Sequence, residues 1–148
     1  MGHHDPRVVV VQPNMVWGLS GPVHVAVHGP GAPTDDEWLP YLADVLQHVA
    51  EIRGLIAYAP AGGSLTRAQR RAATEQWQRH GTTPRMAIMT GSFVARGIVS
   101  SIGWVLGTNV RAFAIEDFQG AGEHLRLEPG ELALVQATIA TLQAKLAA

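Results

Sequence analysis

One segment decides the fold class of this chain: Pro84-Arg-Met-Ala-Ile-Met-Thr-Gly-Ser-Phe-Val-Ala-Arg-Gly-Ile-Val-Ser-Ser-Ile-Gly-Trp-Val-Leu-Gly-Thr-Asn-Val-Arg-Ala-Phe-Ala114. It begins with an apolar strand pattern at 85–89, turns at 90–92, continues as a helix-length run from Phe93 to Leu106 and ends in a second strand pattern at 110–114. A strand, a helix and a strand with short connectors predict a βαβ unit, in which a helix covers two parallel strands. The sequence therefore predicts an α/β fold.

The predicted helix of this segment has two faces that need burial. Its broad apolar face suits packing on the sheet. The opposite face carries aromatic, small and arginine side chains where a solvated helix would carry Glu, Lys and Gln: Phe93, Arg96, Gly97, Ser100 and Trp104. Two interpretations stay open. Either another part of the chain, above all the C-terminal helix, covers this face, or the face is an interface for a protein partner or a second copy.

The remaining elements alternate in the same way along the 148 residues. We expect one domain over residues 1–148, in which a sheet of about five strands, partly parallel, is covered by about four to five helices. The opening runs at 7–12, 15–19 and 23–28 predict antiparallel strands, and 54–59 predicts a buried strand. Residues 128–148 are predicted to form a C-terminal helical extension.

The strand predicted at 23–28 alternates three valines with a polar face that carries His24 and His28. Alternate residues point to opposite faces of a strand, so both histidines share one face. We expect that face to be exposed. A metal site is the alternative, but the sequence places no third ligand beside the two histidines.

Two capping boxes mark the starts of helices. Thr34 with Glu37 opens the first and Thr66 with Gln69 opens the second. Pro40 complicates the first, since a proline inside a helix lacks a hydrogen bond and clashes with the preceding turn. The simpler expectation is a helix proper that begins near Leu39 with Pro40 in its first position; the alternative is a kink.

Composition excludes several classes of protein. A net charge of −1 offers no general attraction to nucleic acid or to an anionic membrane. The absence of cysteine excludes disulfides and thiolate metal sites, and the first residues lack the apolar run of a signal peptide. We therefore expect a cytoplasmic protein that binds neither nucleic acid nor membrane, and we predict no cofactor and no metal.

Candidate ligand groups lie at two strand-to-helix turns, Gly62-Gly63-Ser64 with Thr66 and Thr90-Gly91-Ser92. In open α/β sheets such turns offer backbone N–H groups to anions, so Ser64, Thr66, Thr90, Gly91 and Ser92 form a candidate anion site. Small residues before helices also serve simply as caps. Neither turn matches a Walker loop or a nucleophile elbow, and no paired-carboxylate motif occurs, so no catalytic residue and no enzyme activity is predicted.

The second capped helix is basic. Four arginines accompany one acid, Glu75, between residues 66 and 80: Arg67, Arg70, Arg71 and Arg79. A charged helix face is usually a solvated surface. The alternative is a surface for an anion or an acidic partner, with Arg67 next to the first turn.

The order of elements, together with Thr34-Asp-Asp-Glu-Trp-Leu-Pro-Tyr-Leu42 and Thr90-Gly-Ser-Phe-Val-Ala-Arg-Gly-Ile-Val99, resembles the small bacterial STAS-like proteins, relatives of the anti-sigma factor antagonists. The resemblance covers roughly residues 7 to 127. It implies a non-enzymatic regulatory or scaffolding domain that binds a protein partner and can form a dimer. In some members a Ser or Thr at the start of the helix after the third strand is phosphorylated, and Ser64 is the nearest position here.

The family's Asp-Ser-x-Gly pattern is replaced by Gly62-Gly63-Ser64-Leu65. The alternative function is a small-ligand or anion-binding domain that uses the turns at 62–64 and 90–92.

Overall fold

A single mixed sheet organises the chain in the computed structural model, which describes residues 6–61, 65–81, 84–91 and 109–147. Six strands follow one another across the sheet in the order of the sequence. The first three pair antiparallel, and the third to the sixth pair parallel. The strands are β1 (Arg7–Val11), β2 (Met15–Ser20), β3 (Val23–His28), β4 (Gly54–Ala59), β5 (Arg85–Thr90) and β6 (Val110–Ala114).

This architecture confirms the predicted α/β fold and the antiparallel opening. The sheet has one strand more than the estimate of about five. β2 and β3 are joined by a tight turn in which Gly21 has a φ of 55°, a conformation that glycine adopts without strain. β5 and β6 pair parallel from Met86 with Val110 onward, as the βαβ prediction requires. The helix predicted between them, at 93–106, lies outside the described residues.

Four described helices lie on the two faces of the sheet: α1 (Asp35–His48), α2 (Arg67–His80), α3 (Phe118–His124) and α4 (Pro129–Ala147). α1 and α2 bury Trp38, Tyr41 and Trp77 against one face. α3 and α4 bury their apolar side chains against the valines of β3 on the other face. None of the described helices is long and apolar enough to cross a membrane.

We expected α1 to begin near Leu39, and this expectation is wrong. It begins at Asp35 and runs through Pro40. Pro40 and Asp36 are both exposed, so water can solvate the Asp36 carbonyl that receives no hydrogen bond from Pro40. A proline in a helix interior costs about 3 kcal/mol, whereas each buried large side chain of this helix contributes about 1.5 to 3 kcal/mol. Burial of Trp38, Tyr41 and Leu42 therefore outweighs the cost.

α4 packs on β2 and β3 through an apolar stripe. Val135, Ile139 and Leu142 are buried, and the helix begins at Pro129, within the helical extension predicted at 128–148. Proline suits the first position of a helix because its N–H would be unpaired there anyway. The described buried stripe of α4 thus contributes to the core of the sheet. Whether α4 also covers residues 93–106 lies outside the described residues.

Gly54 provides a test of the packing between α3 and the parallel strands. A Cβ built on Gly54 would lie 2.6 Å from a methyl group of Leu125 and 2.9 Å from the carbonyl oxygen of Arg85 on the paired strand. The leucine can move but the strand cannot. We expect Gly54→Ala to lower the free energy of unfolding by about 1 to 3 kcal/mol, the usual cost of overpacking, as measured by urea denaturation.

Gly130→Ala is the matched control. Gly130 lies in the first turn of α4 and a Cβ there meets nothing within 4 Å. Because alanine favours helix more than glycine does, we expect stability to stay the same or rise by up to about 1 kcal/mol. Equal destabilisation by both substitutions would contradict the described contact between Gly54 and its neighbours.

Candidate functional site

The carboxyl ends of β4 and β5 meet at one edge of the sheet. Ala59 and Thr90 form the last residue pair between the two strands. The chain therefore continues from neighbouring positions at the ends of both strands. A Cβ built on Gly91 would lie 2.6 Å from the carbonyl oxygen of Pro60, a distance that only glycine permits. The chain segments that follow β4 and β5 therefore start side by side, at Pro60 and Gly91. Gly62, Gly63, Ser64 and Ser92 lie outside the described residues, as do Phe93, Arg96, Gly97, Ser100 and Trp104 of the predicted interface.

The start of α2 is capped as the sequence predicts. The Gln69 backbone N–H donates to Thr66 Oγ1 at 3.1 Å, and the Thr66 N–H donates to Gln69 Oε1 at 3.0 Å. A lone pair of the Thr66 hydroxyl is thus used by the helix itself. Arg67 follows on the exposed side, and the first turn contains no acid.

Gln69 also joins the starts of the two helices. Its Nε2 donates to the Pro33 carbonyl at 2.7 Å and to Asp35 Oδ1 at 3.2 Å. In return, Trp38 Nε1 donates to the Gln69 carbonyl at 2.9 Å. These buried hydrogen bonds hold the N-terminal ends of α1 and α2 together at the same edge of the sheet. The sequence identified Gln69 only as a capping residue, because its partners lie more than 30 residues away.

Glu37 fills the N-terminal end of α1. Its carboxylate accepts from the backbone N–H of Asn14 at 2.7 Å, from Asn14 Nδ2 at 2.9 Å, from the Thr34 N–H at 2.9 Å and from the Thr34 hydroxyl at 3.2 Å. Desolvation raises the pKa of Glu37, but these hydrogen bonds outweigh it and the pKa is lowered. The helix terminus that would attract an anion therefore already holds one.

The expectation that His24 and His28 lie on an exposed strand face is wrong. The two side chains do share one face, but β3 lies between β2 and β4, and α1 covers this face. His24 is 0% exposed and His28 is 8% exposed. Burial lowers the pKa of His28 to about 4, against a smaller opposing effect of Glu37. These histidines are core residues.

His24 forms a polar contact between β3 and α1. Its Nε2 lies 2.8 Å from Asp44 Oδ2, and its ring packs edge-on against Tyr41 with centroids 5.5 Å apart. Since a carboxylate only accepts, the proton lies on Nε2. Nδ1 is buried without a hydrogen-bond partner. Burial lowers the pKa of His24 despite the opposing effect of Asp44.

The metal alternative finds no support among the described residues. No group of three or more His, Cys, Asp or Glu side chains in that part of the chain is arranged to hold a metal ion. Asp44, which the sequence did not single out, is the partner of His24. Its signal was its position three residues after Tyr41 and one before Val45, which places a carboxylate at the edge of a buried stripe.

α2 presents an arginine-rich face, on which Glu75 is the one exposed acid. Arg67, Arg71 and Arg79 are exposed. The described ion pairs join His24 and His48 to Asp44 and Arg53 to Glu131, so none involves these arginines. Arg70 is half-buried and donates to the Leu65 carbonyl at 2.8 Å. Three guanidinium groups are thus available to a partner.

Comparisons with protein-family models, with curated proteins and with solved structures give no match.

Burial of His28 predicts a stability that falls in mild acid. The folded chain lowers the pKa of His28 from 6.5 to about 4, so the unfolded chain binds more protons between these values. The free energy of unfolding is therefore at its full value above the pKa of His28 in the unfolded chain, and it decreases as the pH falls towards 4. We expect the free energy of unfolding to drop by about 2 kcal/mol from His28 alone between about pH 7.5 and about pH 5, as measured by urea denaturation.

His28→Gln should reduce this drop, whereas the matched change at exposed His80 should leave it intact. Comparison of pH dependences removes any constant destabilisation caused by the substitution. His24 and His124, whose pKa values burial also lowers, supply the dependence that remains in His28→Gln. An identical pH dependence in wild type and His28→Gln would show that His28 titrates normally and is not buried.

Proposed function

We propose that this chain is a non-enzymatic regulatory or scaffolding domain of the STAS-like kind, which acts by binding a protein partner. The observation that carries the proposal is the basic face of α2, on which Arg67, Arg71 and Arg79 are exposed and have no ion pair within the described chain, with Glu75 as the one acid between them. Planar guanidinium groups suit carboxylates, so the partner presents acidic side chains. Net charge does not explain this row, since the whole chain carries −1.

The described polar interior supports a binding role. The side chains that chemistry would most readily use, Glu37, His24 and Gln69, are buried and hydrogen-bonded to neighbouring elements. They position α1 and α2 on the sheet. A binding domain needs such a rigid support, because a preorganised surface loses less entropy when it binds.

The STAS-like assignment is supported by the mixed sheet and by the motif Thr34 to Leu42, which forms the capped start of α1. It places the regulatory position at Ser64, which precedes the Thr66 cap of α2. Ser64 is two residues before this cap and three before Arg67 in the sequence, and both a helix N-terminus and an arginine favour negative charge.

A second candidate function is the binding of a small anionic ligand at the turns after β4 and β5. The contact of Gly91 with the Pro60 carbonyl favours it, because it brings both turns to one edge of the sheet. Thr90 and Gly91 belong to this candidate site, together with Thr66 and Arg67. A ligand that stays with the purified protein would support this function.

The partner surface can be tested by charge reversal. We expect the double variant Arg67→Glu/Arg71→Glu to lose the protein that wild type captures from cytoplasm of its native host, identified by mass spectrometry, because reversed charges repel an acidic surface. Both positions are exposed, so thermal melting should change by only a few degrees.

Arg111→Glu/Lys145→Glu is the matched control. These two positions are also exposed but lie on β6 and α4, and their reversal changes the net charge equally. The control should retain the partner. If both double variants lose the partner, the loss is caused by the change in net charge and not by the position of the arginines. If both retain the partner, α2 is not part of the interface.

The regulatory position is tested separately. We expect Ser64→Asp to change the affinity for the captured partner by about tenfold in either direction, since it adds charge beside Arg67, while Ser64→Ala leaves it unchanged. Isothermal titration calorimetry with the purified partner measures both. Equal affinity of wild type, Ser64→Ala and Ser64→Asp would show that charge at this position does not regulate binding.

A further inference from the structure

α1 and α2 form one layer with opposite charges on its two halves. The exposed acids of the first half are Asp35 and Asp36 at the start of α1 and Glu51 just beyond its end. The exposed bases of the second half are Arg67, Arg71 and Arg79. Glu75 is the only acid among the exposed residues of α2. The acids and bases are adjacent in one layer, yet no ion pair of the described chain joins them.

The two halves match in length and direction. Each helix has 14 residues and follows a strand of the parallel part of the sheet. The hydrogen bonds of Gln69 with Pro33 and Asp35 bring the two N-termini together, so the helices run parallel. Acids and bases consequently stand at corresponding ends: Asp36 at the start of one half, Arg67 at the start of the other, and Glu51 and Arg79 at the far ends.

This pattern is complementary to itself under one symmetry operation. A two-fold axis parallel to the helices and between them places α1 of one copy over α2 of a second copy, and the reverse, with all directions preserved. Asp36 then faces Arg67 and Arg71 of the other copy, and Glu51 approaches Arg79. A two-fold axis across the helices would instead place like charges together. The charges therefore select one mode of association.

An apolar anchor lies within the same patch. Leu39 is 53% exposed and Pro40 is exposed beside it, both on the outer side of α1. In the parallel arrangement Leu39 lies opposite the second turn of α2, where it can pack against the aliphatic part of Arg71. This apolar contact lies beside the charge pairs of the first two helical turns and adds burial of apolar surface to them.

We infer that the α1/α2 layer is a docking surface for a second copy of this chain, an inference that rests on the proposed function and names the partner of the same arginines. Two helices of this length present a patch about 21 Å long and about 20 Å wide. A patch of this size is smaller than a standard stable interface. The dimer is therefore reversible, and its exposed ion pairs make it sensitive to salt.

Sedimentation velocity on the purified full chain tests this inference. Wild type should show a monomer–dimer equilibrium at low salt that weakens by about tenfold or more at about 0.5 M sodium chloride. Arg67→Glu/Arg71→Glu should weaken association by about tenfold or more, and so should Asp36→Lys/Glu51→Lys. Asp35 is left unchanged in these variants because it accepts from Gln69.

Mixing the two variants supplies the decisive observation. We call Arg67→Glu/Arg71→Glu the arginine variant and Asp36→Lys/Glu51→Lys the acid variant. In their mixed dimer, the unchanged acidic α1 of the arginine variant faces the unchanged basic α2 of the acid variant. The α2 that has become acidic faces the α1 that has become basic, so both contacts join opposite charges. Association should return to the wild-type level. The control mixture contains Asp36→Lys/Glu51→Lys, carrying a fluorescent label, and Arg111→Glu/Lys145→Glu, which has the same overall charge as the arginine variant. Its unchanged α2 repels the reversed α1, so the labelled chain should form the mixed dimer more weakly than with the arginine variant, while the unlabelled control variant still dimerises with itself.

Three results would overturn the inference: a wild type that stays monomeric at all concentrations, a dimer that survives both double reversals, or a labelled Asp36→Lys/Glu51→Lys chain that forms the mixed dimer equally well in the control mixture. These results are distinguishable from failure of the proposed function. A monomeric wild type that captures a different protein through Arg67 and Arg71 refutes self-association alone. A chain that neither dimerises nor captures a partner refutes both.

Discussion

The structure depends on the burial of both faces of β3. This strand pairs antiparallel with β2 and parallel with β4, so it joins the two halves of the sheet. Its valines pack beneath α4, and its histidines pack beneath α1. Burial of each valine contributes about 1.5 to 3 kcal/mol, whereas burial of a charged histidine would cost more than that. The strand is stable in this position because His24 and His28 stay neutral. Burial lowers the pKa of both histidines, which favours their neutral forms.

The helices on this face are held by polar contacts as well as by apolar packing. Asp44 joins α1 to β3 through His24, Glu37 joins it to the loop before β2 through Asn14, and Gln69 joins α2 to α1. Each contact is directional, and an unsatisfied buried partner would cost about 1 to 3 kcal/mol. Apolar packing alone would allow the helices to slide on the sheet. These hydrogen bonds select one position, and with it the spacing between the exposed faces of α1 and α2.

The elements were predictable from the sequence because their signals are local. Both capping boxes form, α2 ends at Gly81 in the left-handed conformation, and β5 pairs parallel with β6. The errors come from long-range effects. Alternation placed His24 and His28 on one face but could not show that β3 is central and covered by α1. Pro40 suggested a late helix start because the burial of Trp38 and Tyr41 was not yet known. Of the candidate site, the described structure brings Gly91 next to Pro60, a contact between turns about 30 residues apart that no local pattern encodes.

Charge separation between neighbouring helices needs a physical reason, because adjacent acids and bases on one surface would ordinarily pair. Asp35 lies within reach of α2 but accepts from the neutral Gln69, and Arg70 donates to the Leu65 carbonyl. The hydrogen bonds that fix the two helix starts thus use the groups closest to the boundary between the helices. Asp36, Arg67 and Arg71 remain exposed, and in the described chain Asp36 forms no ion pair with either arginine, so these charges stay available to another molecule. The rigidity of the layer and the availability of its charges therefore have the same cause.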